Sequence, residues 1–249
     1  MEHLLRATSR AEARHFWFRG FRAFVAPLIR QALDGRPAPR ILDCGCGTGA
    51  NLELLAQFGR AIGFDLSSVG LALGREAGRT RLARASLTAI PFPSNCFDLV
   101  TCFDVLYALE APDERAAVAE MFRVARPGGH LLVNVAAMPA LRGDHSVLSR
   151  EIRRYRRADL ERLLTGAGFG IVRITYTNAA LFPLLLAVRL LQRRRGLAPE
   201  ADAGREIAVP WAPLNELLTG VLQLEGLWLR RFDSPFGSSL LCLARKPAS

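Results

Sequence analysis

An α/β protein built on a mostly parallel sheet with helices on both faces is what this sequence predicts, on three observations. Short apolar runs alternate with helical patterns between residues 40 and 135, the order required when each parallel strand is followed by a crossover helix. The first run, Ile41-Leu42-Asp43-Cys44, passes into the glycine-alternating turn Gly45-Cys46-Gly47-Thr48-Gly49 and then into a helical pattern. The next run, Ile62-Gly63-Phe64-Asp65, again ends on a carboxylate. A chain of 249 residues with 50% apolar composition can bury one substantial core, and nothing in it reads as a long linker.

Taken in order, residues 11–33, with His15-Phe16-Trp17-Phe18-Arg19, read as one or two amphipathic helices, ended by Arg36-Pro37-Ala38-Pro39. Strands are expected near 40–44, 60–64, 81–85, 97–102 and 129–135, with helices near 49–58, 67–76 and 113–125. A helix closed by glycine follows from Leu160 to Gly168, then an alternating strand from Gly170 to Thr177 and a last apolar strand from Ser239 to Arg245. This divides the chain into an N-terminal helical cap, 1–36, and a main domain, 37–249, with a helical insertion at about 178–235. Within the insertion, Ala179 to Leu191 is thirteen residues long, too short for the roughly twenty that span a bilayer. Arg193-Arg194-Arg195 follows it. A helix lying in the membrane interface through 179–195 is one reading; a helix packed over the site or in a homodimer contact is the other, and is preferred.

The turn at 45–49 lets backbone N–H groups meet a ligand without intervening side chains. Its G-x-G-x-G spacing differs from the G-x-G-x-x-G that cradles a dinucleotide pyrophosphate, and the acid ahead of it, Asp43, suits a cationic ligand better than a diphosphate. Asp65 stands where a carboxylate can accept both ribose hydroxyl protons. The net charge of +10 comes almost wholly from arginine, Lys246 being the only lysine, so it points weakly to nucleic acid. Five cysteines, at 44, 46, 96, 102 and 242, lack metal-ligand spacing, so neither a metal site nor a disulfide framework is expected. The polar, arginine-studded N-terminus does not read as a signal peptide, which places the expectation in the cytoplasm, with peripheral contact at the inner membrane face under the interfacial reading.

Three further segments, Ile90-Pro91-Phe92-Pro93, Phe97-Asp98-Leu99-Val100 and Arg126-Pro127-Gly128-Gly129-His130-Leu131-Leu132-Val133, stand in an order and spacing that resembles class I S-adenosylmethionine-dependent methyltransferases of the methyltransferase type 11 group. The resemblance runs from about residue 37 to 135 and more loosely beyond. It implies a Rossmann-like seven-stranded sheet whose last strand is antiparallel. It also implies S-adenosyl-L-methionine as cofactor, with Gly45, Cys46, Gly47 and Gly49 lining its methionine and ribose portions and Asp43 ordering the loop. Asp65 would then hold the ribose and Leu66 pack on adenine. Ser86 and Leu87 occupy the place where the family often has an aspartate for the adenine amino group, and the backbone of Phe103 would receive the methionine ammonium. For Asp104 a helix N-cap and a site role weigh equally.

The resemblance implies a small-molecule or lipid-linked acceptor, methylated at oxygen or nitrogen mainly by positioning. Relatives that methylate catechols carry Glu-His after the position of Leu106 and bind metal there, whereas this chain has Tyr107-Ala108, which disfavours a metal-assisted mechanism. His145 is the candidate general base, and Tyr155 a candidate for orienting the acceptor, with packing as its alternative. The group Phe16-Trp17-Phe18 with Arg19 resembles a cap that closes on the site. A nucleic-acid or protein methyltransferase, and a binding module that keeps the fold without catalysis, are the rival readings.

Overall fold

The computed structural model describes residues 2–196 and 208–248. Seven strands form one sheet: β1 (Arg40–Cys44), β2 (Arg60–Asp65), β3 (Leu82–Arg84), β4 (Phe97–Phe103), β5 (Ala125–Ala136), β6 (Gly170–Thr177) and β7 (Ser239–Arg245). Their order is β3-β2-β1-β4-β5-β7-β6. Strands β1 to β5 are parallel, and β7 runs antiparallel to both of its neighbours. The strand order reverses between β1 and β4, and in open α/β sheets ligands bind outside the carboxyl ends of the strands at such a reversal.

Nine helices surround the sheet among the described residues: α1 (Glu2–Ala11), α2 (Phe16–Ala32), α3 (Ala50–Leu55), α4 (Ser68–Glu76), α5 (Ala111–Val124), α6 (Asp144–Leu148), α7 (Arg157–Gly166), α8 (Phe182–Arg195) and α9 (Ala212–Trp228). The central strands are buried on both faces, which is why they read as largely apolar runs and not as alternating ones. Leu42, Val100 and Leu131 join Val118, Met121, Leu160 and Leu164 of α5 and α7 in one core cluster. Ile41, Leu99 and Leu132 point the other way, to Val25, Ile29 and Leu222 of α2 and α9. Helix thus begins earlier than the sequence pattern suggests, at Glu2, and α2 belongs to the layer that covers the sheet.

The orientation of α2 fixes which end of the molecule carries the site. At its foot Asp98 accepts hydrogen bonds from Arg36 (2.8 Å), the Arg40 N–H (2.8 Å) and Arg126 (2.8 Å), gathering the α2–β1 connection, β4 and β5 at the amino edge of the strands. The head of α2 therefore lies at the carboxyl edge, where the His15 ring caps it by accepting from the Trp17 N–H (3.1 Å). Helix α9 runs beside α2 in the same direction: the Phe16 N–H donates to Asn215 Oδ1 (2.9 Å), Gly20 faces Leu222, and Ala23 faces Gly226. In the insertion, the Ala179 and Ala180 N–H groups donate to the buried Glu225 carboxylate (2.8 and 3.1 Å), which seats the start of α8 on α9. Leu181 and Leu185 pack into the core cluster, while Leu184, Val188, Leu190 and Leu191 are exposed. Among the described residues no helix is long and apolar enough to cross a membrane.

A Cβ placed on Gly20 would lie 2.4 Å from Leu222 Cδ1. We predict that Gly20→Val forces α2 and α9 apart and destabilises the fold by about 1–3 kcal/mol, the usual cost of overpacking. Chemical denaturation measures this, and adding Leu222→Ala in the same chain should recover part of the loss.

Candidate functional site

The turn after β1 is made by three glycines with positive φ, Gly45 at 73°, Gly47 at 58° and Gly49 at 79°, a conformation that costs other residues steric strain. The Gly45 and Cys46 N–H groups donate to the Phe64 carbonyl (2.9 Å each). One oxygen of Asp65 accepts from the Gly47 N–H (2.8 Å) and the other from the Ser67 N–H (2.8 Å), so this carboxylate ties the turn to the head of α4. A carboxylate offers about four acceptor positions, which leaves room on Asp65 for further donors. Leu66 beside it is 60% exposed, an apolar side chain held in solvent at the end of β2.

The absent side chains of the turn do two kinds of work. A Cβ on Gly45 would strike Val105 (2.5 Å) and one on Gly49 would strike Leu82 (2.7 Å), so these glycines admit protein neighbours, whereas Gly47 meets only Leu5 of α1, at 3.4 Å. Glu12, buried just after α1, accepts from the Thr48 hydroxyl (2.5 Å) and from Arg79 (2.7 Å), and Arg79 also donates to the Thr48 carbonyl (3.1 Å). Helix α1 is thereby fastened over the turn.

Asp43 is 2% exposed. Its Oδ1 accepts from the Thr101 hydroxyl (2.7 Å), and its Oδ2 has no partner. Burial pushes its carboxyl up to about 7, against the pull of the Thr101 bond and with help from the Asp65 charge. A buried acceptor without a donor is costly, and a cationic group at the turn would supply the missing interaction. Cys44 and Cys46 are buried thiols raised above their ordinary range by burial first and by neighbouring charges second, unlike the lowered thiols of reactive cysteines.

The remaining predicted residues fall into three groups. Ser86 lies next to Asp65, since the Ala85 N–H donates to the Asp65 carbonyl (3.2 Å), but its hydroxyl is engaged within its own turn by Thr88 (2.8 Å); Leu87 is buried behind it. Phe103 ends β4 as a buried ring packed edge-on against Phe21, with centroids 5.0 Å apart. Tyr155 is buried, and its hydroxyl donates to Glu114, whose other oxygen accepts from Arg153 (2.7 Å). The buried acid in the first turn of α5 holds that donor in the core, an arrangement that supports the packing alternative for Tyr155. His145 lies in α6, and its side chain falls outside the described residues.

Asp104 is the residue that sequence reasoning undervalued. It is not an N-cap, since Val105 precedes the short helical turn Leu106–Ala108. Instead it has φ 60°, and it is locked to β5 because its carboxylate accepts from Asn134 Nδ2 (2.9 Å) and its N–H donates to the Asn134 carbonyl (2.9 Å). The residue is exposed, and the protein around its carboxyl desolvates it. This desolvation raises its pKa; Asn134 opposes the rise, Glu151 adds to it, and Arg154 opposes it. The visible signal was an aspartate directly after the strand segment Leu99-Val100-Thr101-Cys102-Phe103. Among the described residues no three His, Cys, Asp or Glu side chains gather as a metal site would require.

A sequence profile of the methyltransferase domain family matches residues 42–133, the segment that contains the glycine turn, Asp65 and Asp104. That segment is similar to methyltransferase domains. Over 118 residues it is 36% identical to the ubiquinone/menaquinone biosynthesis C-methyltransferase UbiE of Shewanella halifaxensis, covering 41% of this chain and 45% of that protein. Over 121 residues it is 36% identical to the UbiE of Vibrio cholerae, covering 43% and 44%. The chain thus spans less than half the length of these curated relatives. In fold it is similar to phosphoethanolamine N-methyltransferase 2 of Haemonchus contortus in complex with S-adenosyl-L-methionine, with TM-score 0.62 and 18% identity over 99% of this chain and 57% of that one. It is also similar to the [4+2]-cyclase SpnF, with TM-score 0.58 and 22% identity over 91% of this chain and 81% of that one; both likenesses concern the fold alone.

S-adenosylmethionine is the cofactor that the similarity to methyltransferase domains implies, and the residues present fit it. The unpartnered Asp43 Oδ2 suits a positively charged group, Asp65 retains acceptor positions suited to ribose hydroxyls, and exposed Leu66 offers an apolar surface to a base.

Since Asp43 must ionise to meet a cation and its pKa is about 7, we predict that cofactor affinity falls by about tenfold from pH 8 to pH 6, the penalty for deprotonating a group one unit below its pKa. The sign follows from the raised value: protonation, favoured as pH falls, removes the negative charge. Calorimetry should find this dependence in the native chain and a flatter one in Asp43→Asn.

Proposed function

We propose that the chain transfers a methyl group from S-adenosylmethionine to oxygen or nitrogen of a small-molecule or lipid-linked acceptor. The observation that carries this reading is the unpartnered carboxylate oxygen of Asp43 beneath a glycine turn inside the segment matching the methyltransferase domain family. The bound cofactor supplies an electrophilic methyl carbon on a sulfonium, so the protein's task is chiefly to align the acceptor, and alignment lowers such barriers by roughly 7–11 kcal/mol. Asp43, Asp65 and the turn hold one side of the crevice. Asp104 stands at the end of β4, and the next residue, Val105, packs against Gly45, so we assign Asp104 to accept the proton that the acceptor loses, with His145 as the second candidate.

Tyr107 occupies the position of the acid in the metal-binding pair of catechol-methylating relatives, as a buried phenol that lies near the Glu151–Arg154 ion pair (2.9 Å). That supports chemistry without a metal. Methylation at carbon is the second reading, favoured by the C-methyltransferase activity named for the relatives that are 36% identical. A cytoplasmic location fits either acceptor class. For 179–195, the packing of Leu181 and Leu185 on the core supports the covering role, with the outer residues free for a further contact.

Incubation with labelled S-adenosylmethionine and size-fractionated extract should give S-adenosylhomocysteine with the small or lipid fraction. Nucleic acid and protein fractions should give none. Turnover should survive excess chelator. Asp104→Asn should lower kcat by about 10²–10⁴-fold, the usual contribution of a general base, and remove the limb of the pH profile that rises above the ordinary carboxylate range. Unchanged turnover in Asp104→Asn would move the proton-accepting role to His145.

A further inference from the structure

Helix α9 has one face on α2 and leaves the other in solvent, and the solvent face is apolar. Leu214, Leu217, Leu224 and Trp228, spaced by three, seven and four, lie on one side of the helix and are exposed, while Val221 between them packs against the core cluster. Leu217 is 64% exposed, Leu224 67% and Trp228 57%. The helix has two charged residues, and neither gives the stripe a free charge: Glu225 is buried under the start of α8, and Glu216 is paired with Arg19 (2.5 Å). A stripe of this length in water is unusual for a surface with no partner.

Its two ends differ from its middle in the same way. At the lower end Trp228 stacks with Phe232, ring centroids 4.4 Å apart, and exposed Arg230 and Arg231 lie between them in sequence. At the upper end Trp211, 70% exposed, stands at the N-cap of α9. Beside it opens a groove of about 370 Å³ lined by Arg14, Arg19 and Asn215 among others. Tryptophan at both ends, apolar residues between, and arginines at the margins are the composition of a helix that rests in a membrane interface. The charge of the chain separates the two obvious occupants. A second copy would bring another +10 against the first, whereas an anionic lipid surface is complementary to it.

We propose that the outer face of α9 docks on an anionic lipid bilayer, with Leu217, Leu224 and Trp228 entering the interface and Arg14, Arg230 and Arg231 meeting lipid phosphates. The proposal stands apart from the methyl-transfer reading, since bilayer binding and cofactor binding are measured separately.

The test is co-sedimentation of the full chain with vesicles of phosphatidylcholine alone and of phosphatidylcholine with phosphatidylglycerol, at low and high salt. Binding is expected to the anionic vesicles only, and to weaken with salt. Leu217→Glu with Leu224→Glu, and separately Arg230→Glu with Arg231→Glu, should each weaken it more than tenfold while S-adenosylmethionine affinity by calorimetry stays unchanged, since all four positions are exposed. Absence of binding at low salt would overturn the proposal, as would equal binding by the variants. A dimer on a sizing column that Leu217→Glu with Leu224→Glu converts to monomer would assign the face to a second copy and overturn it equally.

Discussion

The double hydrogen bond to Asp65 is the constraint on which the site depends. One oxygen holds the Gly47 N–H and the other holds the Ser67 N–H, so a single carboxylate at the end of β2 sets the position of the turn after β1 and of the helix head after β2. Charge-assisted bonds of this kind are worth roughly 1.5–3 kcal/mol. Around that fixed point the other contacts make sense as supports: Val105 fills the space left by Gly45, Leu82 that left by Gly49, and Glu12 and Arg79 clamp Thr48 from outside.

Charge is distributed across the sheet in a way that suits this arrangement. At the amino edge Arg36 and Arg126 converge on Asp98 and neutralise it. At the carboxyl edge Asp43, Asp65 and Asp104 stand without an arginine hydrogen-bonded to any of them among the described residues, held by a hydroxyl, by backbone N–H groups and by an amide. A protein with a net charge of +10 thus keeps a locally acidic crevice, and a cationic ligand is drawn to it. The raised pKa of Asp43 reflects the cost of leaving that acid buried and unpaired.

Much of this was legible in the sequence because it depends on local pattern. The seven strands appear where apolar runs and glycines predict them, and antiparallel β7 follows from the family resemblance. Asp43, Gly47 and Asp65 come together because each sits at a strand end or turn that periodicity can locate. What was not legible depends on contacts across long stretches of chain. Tyr155 meets Glu114, 41 positions away, and no spacing rule reports that the acid of α5 is buried. Glu12 reaches Thr48 across 36 positions. For Asp104 a cap and a site role weighed equally in the sequence because its positive φ and its bond to Asn134 are properties of the β4–β5 pairing. The apolar residues of 179–191 were conspicuous, yet the longer exposed stripe lies on α9, whose inner face was hidden until Gly20 and Gly226 were seen to admit α2 and α9 to close contact.

A crystal structure of the chain grown with S-adenosylhomocysteine tests the central claim most directly. The account predicts density over the glycine turn, with the ribose hydroxyls on Asp65, the adenine against Leu66 and the amino group of the amino-acid portion directed toward the crevice between Asp43 and Phe103. Density at another place on the molecule, or an empty turn at saturating ligand, would contradict it.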